Sequence, residues 1–256
     1  ETVIPKWIAE SQIARDNLDC ILDVRYADGD KQKLDVFRCG DNKAPTLIWI
    51  HGGYWQRGDK SIYSFLATPF VNRGVNVIVV GYDLCPNISM TRISEELREA
   101  ISFIWSNNNI LDINRDRICV MGHSAGGHLT QMMMATDWPT RDPAFPLDII
   151  KAGIPVSPLS YLEPVRLTLA LKMDIEEADH ESPMTNHPPS TDAQQLVVVG
   201  GAETTEFHRQ SQMYVNSFNT SERQIDMYVV PNVDHFDELN VLADPGSIFF
   251  NKICAI

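Results

Sequence analysis

The sequence has few cysteines, no long apolar run and no cluster of basic residues, and each shortage removes a class of function. The five cysteines, Cys20, Cys39, Cys85, Cys119 and Cys254, are scattered without a Cys-x-x-Cys pair. That pattern argues against a zinc site or a dense disulfide framework and favours a reducing compartment. The longest mainly apolar stretch, 75–80, has strand length, whereas a membrane-spanning helix needs about 18 such residues or more. No signal-peptide pattern is visible, so a cytoplasmic location is expected. Lys and Arg number 21 against 34 Asp and Glu, a net charge of −13. Such a chain repels nucleic acid and anionic membrane surfaces, and the charge says little about a small-molecule substrate. No internal repeat or low-complexity tract interrupts the chain.

What is present suits one large α/β domain over residues 1–256, with 44% hydrophobic residues to supply its core. A helical pattern opens the chain at 5–15. Two alternating segments, 20–25 and 33–38, flank the turn Asp28-Gly29-Asp30 and predict an antiparallel hairpin. Beyond them, short runs rich in Val and Ile at 46–50, 76–80, 117–121, 152–156, 195–199 and 224–230 have the character of strands buried on both faces of a parallel sheet. Helical segments at 61–72, 91–107, 125–135 and 206–218 alternate with them. This order predicts right-handed crossovers and a mostly parallel, doubly wound sheet of about eight strands. One connection, 158–192, is much longer than the others and contains a helical run near 164–178. Connections of that length are usually functional, and a small cap over the strand ends is the expectation; a plain surface excursion is the alternative.

Gly122-His123-Ser124-Ala125-Gly126 matches Gly-x-Ser-x-Gly between a strand and a helix, the setting of a nucleophile elbow. The turn is tight enough to strain the serine backbone, and glycines on either side remove collisions. Ser124 is therefore the candidate nucleophile. His51-Gly52-Gly53-Tyr54-Trp55 directly follows the strand at 46–50, where this architecture forms half of an oxyanion hole. Gly53, Tyr54 and Ala125 are the expected N–H donors. Trp55 either packs the loop from behind or lines the substrate pocket.

The base should follow the last strand, and His235 stands there in Asn232-Val-Asp-His-Phe-Asp237. The other histidines lie inside the motifs, in the long connection or on helices. The acid should follow the strand at 195–199, where Glu203 and Glu206 both occur. Glu203 comes first, in the loop itself; Glu206 is placed to start a helix, where a carboxylate also serves as a cap. Ser124, Glu203 and His235 then satisfy the chain order Ser, acid, His. Such a triad needs no metal and no organic cofactor.

These residues resemble the kynurenine formamidase (arylformamidase) family of α/β-hydrolases, near the hormone-sensitive-lipase-like esterases. The matching elements are His51-Gly-Gly-Tyr-Trp55, Gly122-His-Ser-Ala-Gly-Gly-His128, Glu206-Phe-His-Arg-Gln-Ser211 and His235-Phe236. The resemblance implies cleavage of N-formyl-L-kynurenine to formate and kynurenine in tryptophan breakdown. The familiar pattern carries Asp at the acid position, where this chain has Glu203. With that substrate, Tyr54, Trp55 and Tyr161 are candidates for a slot around the aryl ring. A general carboxylesterase would share the same triad and differ in acyl-pocket width. A non-catalytic binding protein on this scaffold would usually lack part of the triad or the oxyanion turn, and here every part has a candidate.

Overall fold

The apolar runs become strands because each is short, rich in β-branched residues and covered on both sides. The computed structural model describes residues 3–256, without the side chains of 169 and 186. Its eight strands are β1 (Cys20–Arg25), β2 (Lys33–Phe37), β3 (Thr46–Ile50), β4 (Asn76–Val80), β5 (Ile118–His123), β6 (Ile150–Val156), β7 (Gln194–Gly200) and β8 (Ile225–Val230). They form one sheet in the order β1-β2-β4-β3-β5-β6-β7-β8. β1 and β2 pair antiparallel, as do β2 and β4, and every other pairing is parallel. The expected doubly wound sheet with an N-terminal hairpin is therefore present.

Side chains alternate along each strand, so the sheet feeds two cores. Ile48, Ile50, Ile78, Val80 and Val120 point into one, against the helices Met90–Ser106 and Ala125–Met134. Leu47, Trp49, Val77, Val79 and Met121 point into the other, against the N-terminal helix Val3–Asn17 and the C-terminal helices Asp237–Leu242 and Ile248–Ile253. The Met90–Ser106 helix shows why such segments are helical. Ser89 accepts a hydrogen bond from the Arg92 N–H at its start, and Met90, Ile93, Leu97, Ala100, Ile101 and Ile104 recur on the buried side.

Two helical expectations need correction. The segment expected as one helix at 61–72 is a 3-10 turn, Lys60–Leu66, followed by the α-helix Ala67–Asn72; Pro69 has no N–H to bond back to the preceding turn. The run expected at 164–178 is broken into two 3-10 turns, Glu163–Val165 and Leu169–Leu171, and a separate helix, Ile175–His180. Lys172 takes a left-handed backbone at φ 52°, which a helix cannot pass through. Asp174 then caps the new helix by accepting from the Glu177 N–H at 2.8 Å. Leu162, Leu171, Met173 and Ala178 bury this connection against the first core.

Candidate active site

The turn after β5 puts Ser124 at φ 59°, ψ −117°, a conformation that costs a non-glycine residue energy. Its neighbours make the turn possible. A side chain at Gly122 would meet the Ile50 carbonyl at 2.7 Å, and one at Gly126 would collide with the same oxygen. The Ser124 N–H donates to the Val156 carbonyl at 2.8 Å, which pins the elbow to the end of β6. The Ala125–Met134 helix starts at once, directing its N-terminal dipole at the serine.

The loop after β3 lies alongside. Gly53, Tyr54 and Trp55 all have positive φ, at 120°, 57° and 56°, so successive amides are turned out of the usual extended path. Backbone hydrogen bonds from Gln56 and Arg57 to the Gly53 carbonyl hold this shape, at 3.1 and 3.0 Å. His51 is fully buried, with its ring stacked 4.3 Å from that of Tyr82 and 5.6 Å from that of Tyr63. Burial lowers its pKa to about 4, so it stays neutral and structural. His128 is likewise held to about 4 by burial. Among the described residues, the backbone N–H groups of Gly53, Tyr54 and Ala125 have no hydrogen-bond partner within the chain.

His235 follows β8, and its Nδ1 lies 2.5 Å from Glu203 Oε1. That contact leaves Nε2 as the nitrogen able to take a proton from a hydroxyl. Phe207 stacks on the imidazole with centroids 4.7 Å apart, and the His123 ring lies 4.4 Å from it on another side. The Glu203 side chain is almost wholly buried, and its Oε2 accepts from the Ser157 hydroxyl at 2.9 Å. Glu206 lies elsewhere, paired with Arg209 on the exposed side of its helix. The hydrogen bond from Arg209 holds its carboxyl down at about 2. Of the two acid candidates, the structure brings Glu203 to the imidazole and leaves Glu206 away from it.

Ser124 and His235 line one cavity of about 550 Å³, together with Gly53, Tyr54 and Phe236. Among the described residues no hydrogen bond joins Ser124 to His235; in resting sites such a bond is often long and tightens with substrate. Val3, Ile4 and Trp7 of the N-terminal helix form an apolar wall, and Arg57 contributes a cationic side chain. That wall was not anticipated, although the apolar positions 3, 4 and 7 lie on one side of a helix. Two expected lining residues are absent. Trp55 is fully buried in the first core with its ring edge-on to His128 at 5.3 Å, because the left-handed turn swings it behind the loop. Tyr161 is half-buried, with its N–H bonded to Gln210 at 2.9 Å, and is not among the lining residues. Ser157, Phe207 and Glu238 were also missed; Phe207 lies inside the Glu206–Ser211 motif, whereas nothing local distinguishes Ser157 and Glu238 from ordinary loop and helix residues.

His123, His235 and Glu238 bring three possible metal ligands within 4.8 Å of one another. Nδ1 of His235 is already bonded to Glu203, so the cluster is built first for proton transfer. A hydroxyl, an imidazole with one free nitrogen and three unpaired N–H groups can carry out acyl transfer to water.

Comparison with known proteins agrees with this chemistry. The BD-FAE family model matches residues 34–142. The kynurenine formamidase of Salmo salar is 34% identical, over 90% of this chain and 80% of that protein. The kynurenine formamidase of Danio rerio is 31% identical over the same shares. A solved structure from Silicibacter sp. TM1040, provisionally assigned as a thioesterase, superposes with a TM-score of 0.85 at 31% identity, covering 98% of this chain and 92% of that one.

Proposed function

The chain belongs to the kynurenine formamidase family of α/β-hydrolases, and from that premise we propose that it cleaves N-formyl-L-kynurenine to L-kynurenine and formate with Ser124, His235 and Glu203 as its triad. The observation that carries this reading is the Glu203–His235 hydrogen bond, facing the cavity that Ser124 lines.

Ser124 Oγ attacks the formyl carbon while His235 Nε2 takes its proton. The N–H groups of Gly53, Tyr54 and Ala125 receive the oxyanion; each such donor contributes on the order of 100-fold or more in rate. Glu203 fixes the imidazole tautomer and stabilises the imidazolium. His235 then gives its proton to the departing aryl amine, which breaks the C–N bond and leaves a formyl ester on Ser124. Water, deprotonated by His235, attacks that ester and releases formate.

The cavity suits an aromatic amino acid. Ile4, Ile62 and Phe236 offer apolar surface for the ring, backed by the buried Trp7 and Tyr63. Arg57 is the one charged side chain among the described lining residues, in a chain of net charge −13, and it faces the substrate carboxylate in this reading. No metal or cofactor enters the reaction. The connection at 158–192 acts as a small cap; the Thr168 hydroxyl, 3.0 Å from the Tyr54 hydroxyl, ties it to the oxyanion loop. A cytoplasmic setting, with a small molecule and no nucleic acid or membrane as partner, fits five free cysteines and the acidic charge. No helix among the described residues is long and apolar enough to cross a membrane.

Formate release from N-formyl-L-kynurenine tests the proposal. Ser124→Ala should lower kcat by at least about 10⁴-fold, and unchanged turnover would remove Ser124 as nucleophile. Ester or thioester cleavage is the second reading, favoured by the Silicibacter structure. Rapid aryl-ester cleavage without formate release would select it.

A further inference from the structure

Behind the triad lies a hydroxyl that two carboxyl groups share. Ser157 Oγ is 2.9 Å from Glu203 Oε2 and 2.7 Å from Glu238 Oε2. Ser157 and Glu238 are both fully buried, and so, within 1%, is the Glu203 side chain. A hydroxyl has one hydrogen to donate and otherwise accepts. It cannot donate fully to two carboxylates at once, so both contacts are satisfied only when one of the two carboxyl groups carries a proton.

The surroundings decide which. Glu203 Oε1 faces His235 Nδ1, and a carboxylate there is stabilised by the donor. Glu238, on the helix Asp237–Leu242, faces no cation. The groups around it are Glu203 after β7, Ser157 after β6, His123 at the end of β5, and Asp234 and His235 after β8, with the Gly200 N–H at the end of β7 as the one backbone donor, outweighed by burial and the Glu203 charge. His123 is kept neutral by burial and by the neighbouring His235. Glu238 Oε1 is buried without a hydrogen-bond partner, a position costly for an ionised oxygen. Ser157 itself is held at φ 46°, strain that a buried serine sustains only where the surrounding structure enforces it.

We propose that Glu238 is a neutral carboxylic acid that donates its proton to Ser157 Oγ, so that the Ser157 hydrogen is committed to Glu203 and Glu203 to His235. Glu238 and Ser157 are then positioning residues for the triad. The inference rests on the triad reading above for its kinetic consequence, but the protonation of Glu238 stands apart from it. Burial and the Glu203 charge raise its pKa to about 9. Above that pH the second carboxylate competes for the Ser157 hydrogen and loosens the Glu203 side chain.

The experiment compares the parent chain with Glu238→Gln, Glu238→Ala and Ser157→Ala. Infrared spectroscopy at neutral pH should show the carbonyl stretch of a protonated carboxylic acid in the parent chain, and Glu238→Gln should lose it. Glutamine can still donate to Ser157, so its kcat should stay within about threefold and its profile should lack the alkaline fall seen in the parent chain. Glu238→Ala and Ser157→Ala should lose about 10- to 100-fold in kcat with KM little changed. Absence of the band, persistence of the alkaline fall in Glu238→Gln, or a loss in Glu238→Gln as deep as in Glu238→Ala would overturn the proposal. If the alanine variant does not fold, the band and the glutamine profile decide. Failure of the reading it rests on appears separately, as an active Ser124→Ala variant or as no formate release from N-formyl-L-kynurenine, with the infrared band intact.

Discussion

Replacing Glu203 by Gln separates the two acid candidates and tests the proton chain at its centre. The change keeps the size of the side chain and removes its charge. Ser157 can still donate to the amide oxygen, and that choice turns the amide N–H₂ toward His235 Nδ1, now 2.5 Å from Oε1 of Glu203. Nδ1 must then accept, which places the ring proton on Nε2 and leaves no lone pair for the Ser124 proton. A wrong tautomer with intact geometry costs a serine hydrolase about 10⁴ in kcat, or roughly 5 kcal/mol of transition-state stabilisation. Glu206→Gln should behave differently. Its carboxyl is 46% exposed and bonded to Arg209, a pair worth at most about 1 kcal/mol of stability, and its kcat should be unchanged. Formate release from N-formyl-L-kynurenine, with a thermal melt for each variant, reads both effects. A normal kcat in Glu203→Gln together with a collapse in Glu206→Gln would refute the assignment, because no rotamer of Glu203 could then matter to the imidazole.

Three further outcomes follow from the same geometry. Glu238 keeps its proton up to about pH 9 when folded, against an ordinary glutamate value of 4.5, so the unfolded chain releases it first and stability falls as pH rises between those values. Glu238→Gln should therefore stabilise the fold at pH 7, seen as a higher melting point, with the advantage fading toward pH 4.5; an advantage that grows on acidification would contradict the neutral acid. Lys60 is buried with Nζ 2.6 Å from Asp35 and 2.8 Å from Asp23. Lys60→Met strips one cation from the wholly buried Asp35 and should cost about 3–5 kcal/mol, seen as a lower urea midpoint. Arg57→Gln should raise KM for N-formyl-L-kynurenine about tenfold, the loss of one charged hydrogen bond of roughly 1.4 kcal/mol. An uncharged aryl formamide should show no such change, and an equal loss on both substrates would place Arg57 in the loop structure instead of the carboxylate contact.

The parts of the molecule that were legible in the sequence are those whose sterics are local. A five- to seven-residue run rich in Val and Ile is too short for a buried helix and suits a covered strand, and a serine between two glycines at a strand end suits a sharp turn. Hence the sheet, the elbow at Ser124 and the loop positions of Glu203 and His235 follow from short windows. What was not legible depends on residues far apart in the chain. Trp55 adjoins two residues that line the cavity or the oxyanion turn, yet its positive φ sends the ring into the core beside His128. The helical pattern at 164–178 is real as composition, but Lys172 breaks it where the connection turns to bury Leu171 and Met173. Trp7 reaches the cavity from a helix 117 residues before Ser124, stacked on Phe65 at 5.6 Å and bonded to Asn240 at 3.0 Å. No periodicity announces such a contact.

The sheet order itself explains why so few strands carry the chemistry. β3, β5, β6, β7 and β8 are consecutive neighbours and parallel, so their carboxyl ends stand in one row. The oxyanion loop, Ser124, Ser157, Glu203 and His235 each follow one of those five ends, in that spatial order. A proton relay needs its members adjacent, and parallel register supplies the adjacency without any long-range loop having to find it. The antiparallel side, β1, β2 and β4, contributes none of these groups, and its buried Asp35 pairs with Lys60 of the 3-10 turn for the fold alone. Charge-network variants there should therefore lower the melting point and leave kcat at low temperature intact, whereas changes at Ser157 or Glu238 should reach kcat first.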